Sequence, residues 1–319
     1  MARSAYVPAG VIPAVLLPFH DDLSIDEAGF RSHLRDVGAT EGISAITLNA
    51  HSTEVASCTF DEQKRVLDIA QDEIGARLPL INGIWADGSL EAARIAKMAA
   101  AGGASALLVF PPAPFTLQQS PEMAVAHFKR IADACDLPII VFQYPLATGQ
   151  GYPRDTLLKM CAEVPTIRAI KDWCGIVPQH EMHIRTLQSL PRPVNVLSTH
   201  SAWLFPSLVL GCNGLLSGSG SVIADLQAQL FRAVQKNDLA EARRLNDRIH
   251  PTARVFYAEP WADMHNRMKE ALVLLGKLPR AVVRPPLAKL PPQEIERIRV
   301  ALVAAGLLAE KTSQRRVAA

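Results

Sequence analysis

Thr166-Ile-Arg-Ala-Ile-Lys-Asp-Trp173 is an apolar, β-branched run that carries a lone lysine near its end. Pro165 precedes it, and Cys174 and Gly175 follow. A short apolar run of this kind reads as a strand buried on both faces, as in a parallel sheet. A lysine at the end of such a strand has two readings. It points into solvent, or it sits in a dry cleft where desolvation lowers its pKa and the neutral amine attacks a carbonyl. The rest of the chain decides between them.

Working outward, apolar strand-like runs alternate with amphipathic helical ones. Strands are expected at Ile12–Pro18, Ile43–Asn49, Leu80–Ile84, Ala106–Phe110, Ile139–Tyr144, Ile167–Lys171, Asn195–Ser198 and Gly214–Ser217. Helices are expected at Ile25–Val37, with acids in its first turn, and at Phe60–Ile74. Ser89–Ala101 runs up to a Gly102-Gly103 stop, and Pro121–Cys135 opens on a proline after Ser120. Eight strands with intervening helices predict an α/β fold of the (β/α)8 TIM-barrel type. An open doubly wound sheet would use fewer strands and carry a switch point. The eighth helix is expected at Ile223–Val234, near the end of a barrel domain spanning residues 1–236. Beyond it the strand signal vanishes. Leu239–Ile249, Trp261–Leu275 and Gln293–Ala305 read as helices between proline-rich joints, so residues 237–319 are expected to form a C-terminal helical appendage.

Composition narrows the function. The 319 residues are 49% hydrophobic and 20% charged, which is globular, and the net charge of +2 comes without a basic stripe. Nucleic acid is therefore not an expected partner. The cluster Gln314-Arg315-Arg316 reads as a solvated tail. Met1–Pro8 has no long apolar stretch of the signal-peptide kind, and no apolar run reaches spanning length, so a cytoplasmic protein without membrane contact is expected. Cys58, Cys135, Cys161, Cys174 and Cys212 are scattered and never in C-x-x-C spacing, which predicts reduced thiols and no zinc site.

Barrels of this type keep their chemistry at the C-terminal ends of the strands. Those ends carry Pro18, Asn49 to Glu54, Trp85, Pro111-Pro112, Tyr144, Lys171 to Trp173, Ser198 to His200, and Ser217 to Ser221. Lys171 is the only lysine among them. One amine in a ring of neutral groups favours the catalytic reading.

Several of these ends together resemble the dihydrodipicolinate synthase / N-acetylneuraminate lyase family of lysine-dependent, class I aldolases. Ala14-Val-Leu-Leu-Pro-Phe19 with Leu23-Ser-Ile-Asp26 is similar to its opening strand and acidic turn. Ala50-His-Ser-Thr-Glu54 stands in place of its Gly-Thr-Thr-Gly-Glu loop, and Gln143-Tyr-Pro-Leu-Ala-Thr-Gly149 resembles its Tyr-Asn-x-Pro-x-x-Thr-Gly segment. Ile170-Lys-Asp172 and Gly211-Cys-Asn-Gly-Leu-Leu-Ser217 are similar to its Schiff-base strand and its eighth strand. The resemblance implies a lyase with no cofactor beyond a covalent imine. Lys171 would condense with pyruvate or another 2-oxo acid, whose carboxylate would lie at His51 and Ser52. Phe142, Trp173, His200, Leu216 and Ser217 would complete the substrate site. Glu54 would order the loop. A homo-oligomer, dimer or tetramer, is implied as well.

The departures limit the activity. The family's strand-five tyrosine, a proton shuttle, is Phe142 here. Tyr144 is two residues on and faces the same way, so it is the candidate catalytic phenol; water, His51 or His200 are the alternatives. The arginine that dihydrodipicolinate synthases keep before Thr-Gly is Ala147, and their tyrosine pair after strand four is replaced by Pro111-Pro112-Ala113-Pro114. True dihydrodipicolinate synthesis is therefore not expected. The alternatives are a dehydratase of sugar-derived 2-oxo acids, a lyase of aryl-type 2-oxo acids served by Trp85, Trp173 and His200, and a non-catalytic 2-oxo-acid binder. His180-Glu-Met-His183 is not the H-E-x-x-H pattern and falls on an outer helix, so no metal is expected there. Asp172 should turn away from Lys171, and Ser217-Gly-Ser-Gly-Ser221 reads as a close-approach turn rather than a phosphate cradle.

Overall fold

Eight strands carry the architecture: β1 (Gly10–Pro13), β2 (Ile46–Leu48), β3 (Leu80–Ile84), β4 (Ala106–Val109), β5 (Ile139–Gln143), β6 (Ile167–Asp172), β7 (Asn195–Ser198) and β8 (Gly214–Ser217). The computed structural model describes residues 6–310, so the Gln314-Arg315-Arg316 cluster lies outside the described residues. The strands pair in parallel in the order β1-β8-β7-β6-β5-β4-β3-β2. Parallel bridges from Val11 to Ile43 and from Ala14 to Thr47 close the ring. The chain is the expected TIM barrel.

Seven helices follow the first seven strands: α1 (Glu27–Gly38), α2 (Phe60–Ile74), α3 (Ser89–Ala101), α4 (Pro121–Ala132), α5 (Arg154–Glu163), α6 (Val177–Leu187) and α7 (Leu204–Val209). The eighth, α8 (Gly220–Gln235), leads into α9 (Leu239–Phe256), α10 (Met264–Leu274) and α11 (Pro292–Ala304). Local chemistry sets their starts. Asp26, Ser120 and Asp238 each accept an amide of the first turn, and Thr59 and Glu62 form a reciprocal capping box at α2.

Two apolar layers result. Alternate residues point into the barrel, among them Ile12, Leu108, Ile140, Ala169, Leu197 and Leu216. The other set packs between sheet and helices. A bulge lets Arg168 drop out of register, so that Ile139 pairs with Ile167 while Ile140 pairs with Ala169. Beyond the bulge Phe142 and Lys171 are register partners, and both face inward.

The structure differs from the sequence reading at several boundaries. The first ladder covers Gly10–Pro13 rather than Ile12–Pro18, because pairing with β8 ends at Ser217. Residues 14–17 continue as buried extended chain. Helix α9 runs through Pro251 to Phe256 instead of stopping at Ile249. Burial of Thr252, Ala253, Val255 and Phe256 offsets the missing proline N–H. Helix α4 stops at Ala132, three residues earlier than expected.

The C-terminal segment returns to the barrel's mouth. Lys269 Nζ pairs with Glu54 Oε1 inside the protein and donates to Val282 O at 2.8 Å. Glu54 Oε2 accepts the Arg284 amide at 2.9 Å, and the Arg284 guanidinium holds Glu62 and the carbonyls of Leu23 and Ser57. Glu54 thus orders its loop, as expected, by tying it to the C-terminal part of the chain. Among the described residues no helix is long and apolar enough to cross a membrane.

Candidate active site

At the C-terminal end of the barrel, Ala14, Ala50, His51, Ser52, Phe142, Lys171, Trp173 and Thr199 meet Gly218, Tyr257, Met264 and His265 around a small cavity of about 30 Å³. Five residues singled out from sequence, His51, Ser52, Phe142, Lys171 and Trp173, share this one cavity.

Lys171 is 6% exposed and forms no hydrogen bond or ion pair with the other described residues. Its Nζ lies 4.2 Å from the centroid of the Phe142 ring. Burial without a counter-charge lowers its pKa to about 7. The amine is therefore largely neutral just above that pH, the state a nucleophile needs.

Ser52 and His51 lie on a 3-10 turn, His51–Thr53, that follows β2. The amides of His51 and Ser52 open that turn and have no partner within it. Ser52 is fully buried, yet its Oγ has no hydrogen-bond partner. A buried, unsatisfied hydroxyl at a cavity wall is a vacant ligand contact. His51 keeps some solvent contact through the cavity, but rings surround it: Phe110 at 4.8 Å, Trp85 at 5.1 Å and Phe142 at 5.8 Å between centroids. Desolvation, with the Lys171 charge adding to it, pushes the imidazole down to about 3, so it is neutral.

Tyr144 stacks on Phe142 at 4.7 Å, on the same face of β5 as alternation requires. It does not line the cavity itself. Its phenol oxygen is 3.0 Å from His51 Nε2, and burial raises its pKa above the usual phenol value. The cavity is thus reached by a neutral, proton-bearing Tyr144–His51 pair. Trp173 packs against Tyr144 at 5.5 Å and against Trp261 at 5.4 Å, so the mouth is aromatic.

Three expected site residues stand elsewhere. Leu216 points into the barrel but packs into its apolar floor. Ser217 alternates outward, where its Oγ meets Ser201 Oγ at 3.1 Å and Ser219 Oγ at 2.8 Å. His200 stacks on Trp203 at 3.9 Å, with Nε2 3.7 Å from Cys174 Sγ. It belongs to a polar cluster on the outer face of β6, whereas its neighbour Thr199 lines the cavity.

That cluster was set aside in the sequence. Asp172 is fully buried, and its Oδ2 accepts Nδ1–H of His180 at 2.7 Å and of His183 at 2.8 Å. Burial works against its ionisation, but those two hydrogen bonds outweigh it and hold the carboxyl well below the usual range. The i, i+3 spacing of the two histidines thus has a purpose: both reach one carboxylate.

Tyr257, Met264 and His265 escaped the sequence reading altogether, since no periodicity shows that the C-terminal segment folds back over the mouth. Gly218 permits the approach, for a Cβ there would come 2.7 Å from His265 Nε2. That is the close-approach reading of the Ser-Gly-Ser-Gly-Ser turn. Burial and the neighbouring His51 and Lys171 depress the His265 pKa, so it too is neutral.

Comparison with known proteins bears on the family and the fold. A sequence profile of the Dihydrodipicolinate synthetase family matches residues 7–305. The 4-hydroxy-tetrahydrodipicolinate synthase of Methanosarcina acetivorans is 30% identical over 250 residues, covering 78% of this chain and 83% of that one. The Methanopyrus kandleri enzyme of the same name is 28% identical over 302 residues, 94% of this chain and 97% of that one. Dihydrodipicolinate synthase from Aquifex aeolicus superposes with a TM-score of 0.85 at 24% identity, over 95% of this chain and 100% of that one. A prophage protein of the dihydrodipicolinic acid synthase family from E. coli K12, solved in complex with pyruvate, gives 0.85 at 23% identity, over 94% of this chain and 99% of that one.

Proposed function

The chain belongs to the dihydrodipicolinate synthetase family, whose members are class I, pyruvate-dependent aldolase-type lyases, and we propose that this lyase makes or breaks a C–C bond through an imine between Lys171 and pyruvate or a related 2-oxo acid. The observation that carries this reading is the buried Lys171 amine, which has no polar partner among the described residues and a pKa near neutrality. A solvent-facing or ion-paired lysine would keep its proton and its charge.

The residues divide the work as follows. The carboxylate of the 2-oxo acid is bound by Ser52 Oγ and the amides that open its turn, with charge-assisted hydrogen bonds. That contact turns the keto carbon toward Nζ. The Lys171 nitrogen adds to the carbon, the carbonyl oxygen leaves as water, and a protonated imine remains. In the cleavage direction the Tyr144–His51 pair removes the proton of the hydroxyl two carbons from the imine carbon. The bond between the carbinol carbon and the carbon next to the imine breaks, and its electrons move toward the iminium nitrogen to give an enamine and an aldehyde. Protonation of the enamine and hydrolysis release the 2-oxo acid. Condensation runs the same steps backward.

The aromatic mouth favours an aryl-bearing partner over a dianionic one. Trp173, Tyr144 and Trp261 stand there, and Ala147 supplies no cation for a second carboxylate. This mouth does not suit the synthase activity of the named relatives.

Borohydride reduction in the presence of pyruvate and a panel of 2-oxo acids tests the reading. The expected result is a mass increase confined to the Lys171 peptide, with aryl-bearing substrates then competing for turnover. An unmodified Lys171 under all 2-oxo acids would leave the chain as a binder rather than an imine enzyme.

A further inference from the structure

On the outer face of β6, opposite the Lys171 amine, the described residues gather a buried set of metal-ligating side chains that the proposed chemistry does not use. We propose that Asp172, Cys174 and His200, with His180 as the fourth donor, bind one zinc-type divalent cation that fastens the end of the Lys171 strand. The four donor atoms lie within 4.8 Å of one another, and all four residues are buried.

Distances favour a centre over an ordinary hydrogen-bond network. His200 Nε2 is 3.7 Å from Cys174 Sγ and 4.0 Å from Asp172 Oδ1. The second separation is too long for a hydrogen bond, and the first is a weak one. This nitrogen is held in an interior where a polar atom is costly to leave unmatched. Zn–N bonds of about 2.0–2.1 Å and Zn–S bonds of about 2.3 Å set tetrahedral ligands roughly 3.3–3.8 Å apart. The His200–Cys174 separation lies within this range, and the rest of the set, spread over up to 4.8 Å, must draw together by up to about 1 Å on binding.

The surroundings resemble the second layer of a metal site. Asp172 Oδ2 is held by His183 Nδ1 at 2.8 Å, while Oδ1 accepts the Cys174 amide at 3.0 Å and lies 4.0 Å from His200 Nε2. Such hydrogen bonds fix the direction of a ligating carboxylate. Stacking on Trp203 with an interplanar angle of 18° fixes the plane of the His200 ring. His180 is anchored by Ser207 at 2.6 Å and gives up its Nδ1 hydrogen bond to Asp172 when it ligates. The mixed sulfur, nitrogen and carboxylate set suits zinc better than magnesium or calcium, which take oxygen ligands. Binding releases the Cys174 thiol proton to solvent; the His180 proton moves from Nδ1 to Nε2, which then donates to Ser207 Oγ, and no electron transfer is involved.

The ion would join three pieces of chain: the end of β6, the start of α6, and the loop after β7. Its role is structural, on the face of β6 away from the cavity.

The test uses full-length protein without a histidine tag, purified from zinc-supplemented cells. Elemental analysis is expected to find about one zinc per chain, falling at least tenfold in Cys174→Ser and His200→Asn. Protein stripped with chelator and reloaded with cobalt(II) is expected to show a thiolate-to-cobalt charge-transfer band, which needs no variant to fold. Zinc-free protein with no cobalt band overturns the proposal. So does metal that both variants retain in full, or a cobalt spectrum without thiolate character. Lys171 trapping is scored separately, so either result stands without the other.

Discussion

The Lys171 amine lies 4.2 Å from the centre of the Phe142 ring, on the strand whose register partner at that position is Phe142 itself. Where the family resemblance leads one to expect a phenol beside the amine, there is an apolar face. The ring removes water without offering a hydrogen bond, which deepens the desolvation that lowers the lysine's pKa. In the proposed mechanism proton transfer falls to the next residue on that face, Tyr144, whose phenol meets His51 Nε2 at 3.0 Å.

Lys171 makes the stability and the rate depend on pH in linked ways. Its folded pKa is about 7, against an ordinary value of 10.5. The unfolded chain therefore binds more protons between those values, and stability contributed by this group rises with pH across that window. The cost is complete below pH 7 and gone above pH 10.5. Lys171→Met should stabilise the protein by several kcal/mol, on the order of 4, at pH 6.5, and by little at pH 10. Urea unfolding at the two pH values checks this. In the native enzyme kcat/KM should climb tenfold per pH unit below pH 7 and level off above it. A gain from Lys171→Met that is equal at both pH values would mean a lysine whose proton is never lost.

Tyr144→Phe removes the phenol oxygen 3.0 Å from His51 Nε2 and little else, since the ring still stacks on Phe142. General acid–base groups contribute about 10²–10⁴-fold. Turnover should fall by at least about a hundredfold, while borohydride still traps the imine on Lys171. Single-turnover kinetics separate the two steps. Unchanged turnover in this variant would end the assignment of the phenol as proton carrier.

The parts of this site that could be read from sequence are those written in local periodicity. Alternating runs and caps gave the barrel, and the strand-end rule then singled out Lys171, Ser52 and His51. The same rule misplaced His200 and Ser217, because it locates the end of a strand but not the face a side chain takes once the chain turns. Asp172 lies on the face away from Lys171, as alternation predicts, but its partners His180 and His183 leave no such signal: the inner neighbour of an outer helix is not written in the helix's own spacing. His265, Met264 and Tyr257 reach the cavity through a fold-back of the C-terminal segment, a long-range contact without a period. The bulge at Arg168 left no signal either, for Arg is an ordinary residue in an apolar strand of this length.

Ser52→Ala should move binding and stability in opposite directions. The hydroxyl is buried and unpaired, so its loss removes a desolvated polar group and should leave the melting temperature unchanged or slightly higher. A hydrogen bond to a charged ligand is worth about 1.5–3 kcal/mol, so KM for the 2-oxo acid should rise about ten- to a hundredfold. Thermal melts and steady-state kinetics on one preparation give both numbers. A lower melting temperature with an unchanged KM would make Ser52 a structural residue.

Glu54 and Lys269 form an ion pair with side chains 4% and 1% exposed, which joins the Ser52 loop to the helix that carries His265. Removing one partner of a buried pair typically costs about 3–5 kcal/mol, because the other charge is left in the interior. Glu54→Gln should cost that much, since Lys269 keeps few alternatives: its other acceptor is the Val282 carbonyl. Replacing both, as Glu54→Gln with Lys269→Met, should recover most of the loss, because no bare charge remains. The double-mutant cycle in urea is expected to give a coupling energy of at least about 2 kcal/mol. Additive costs would instead place the link between barrel and C-terminal segment in Arg284, whose guanidinium bridges Glu62, Leu23 and Ser57.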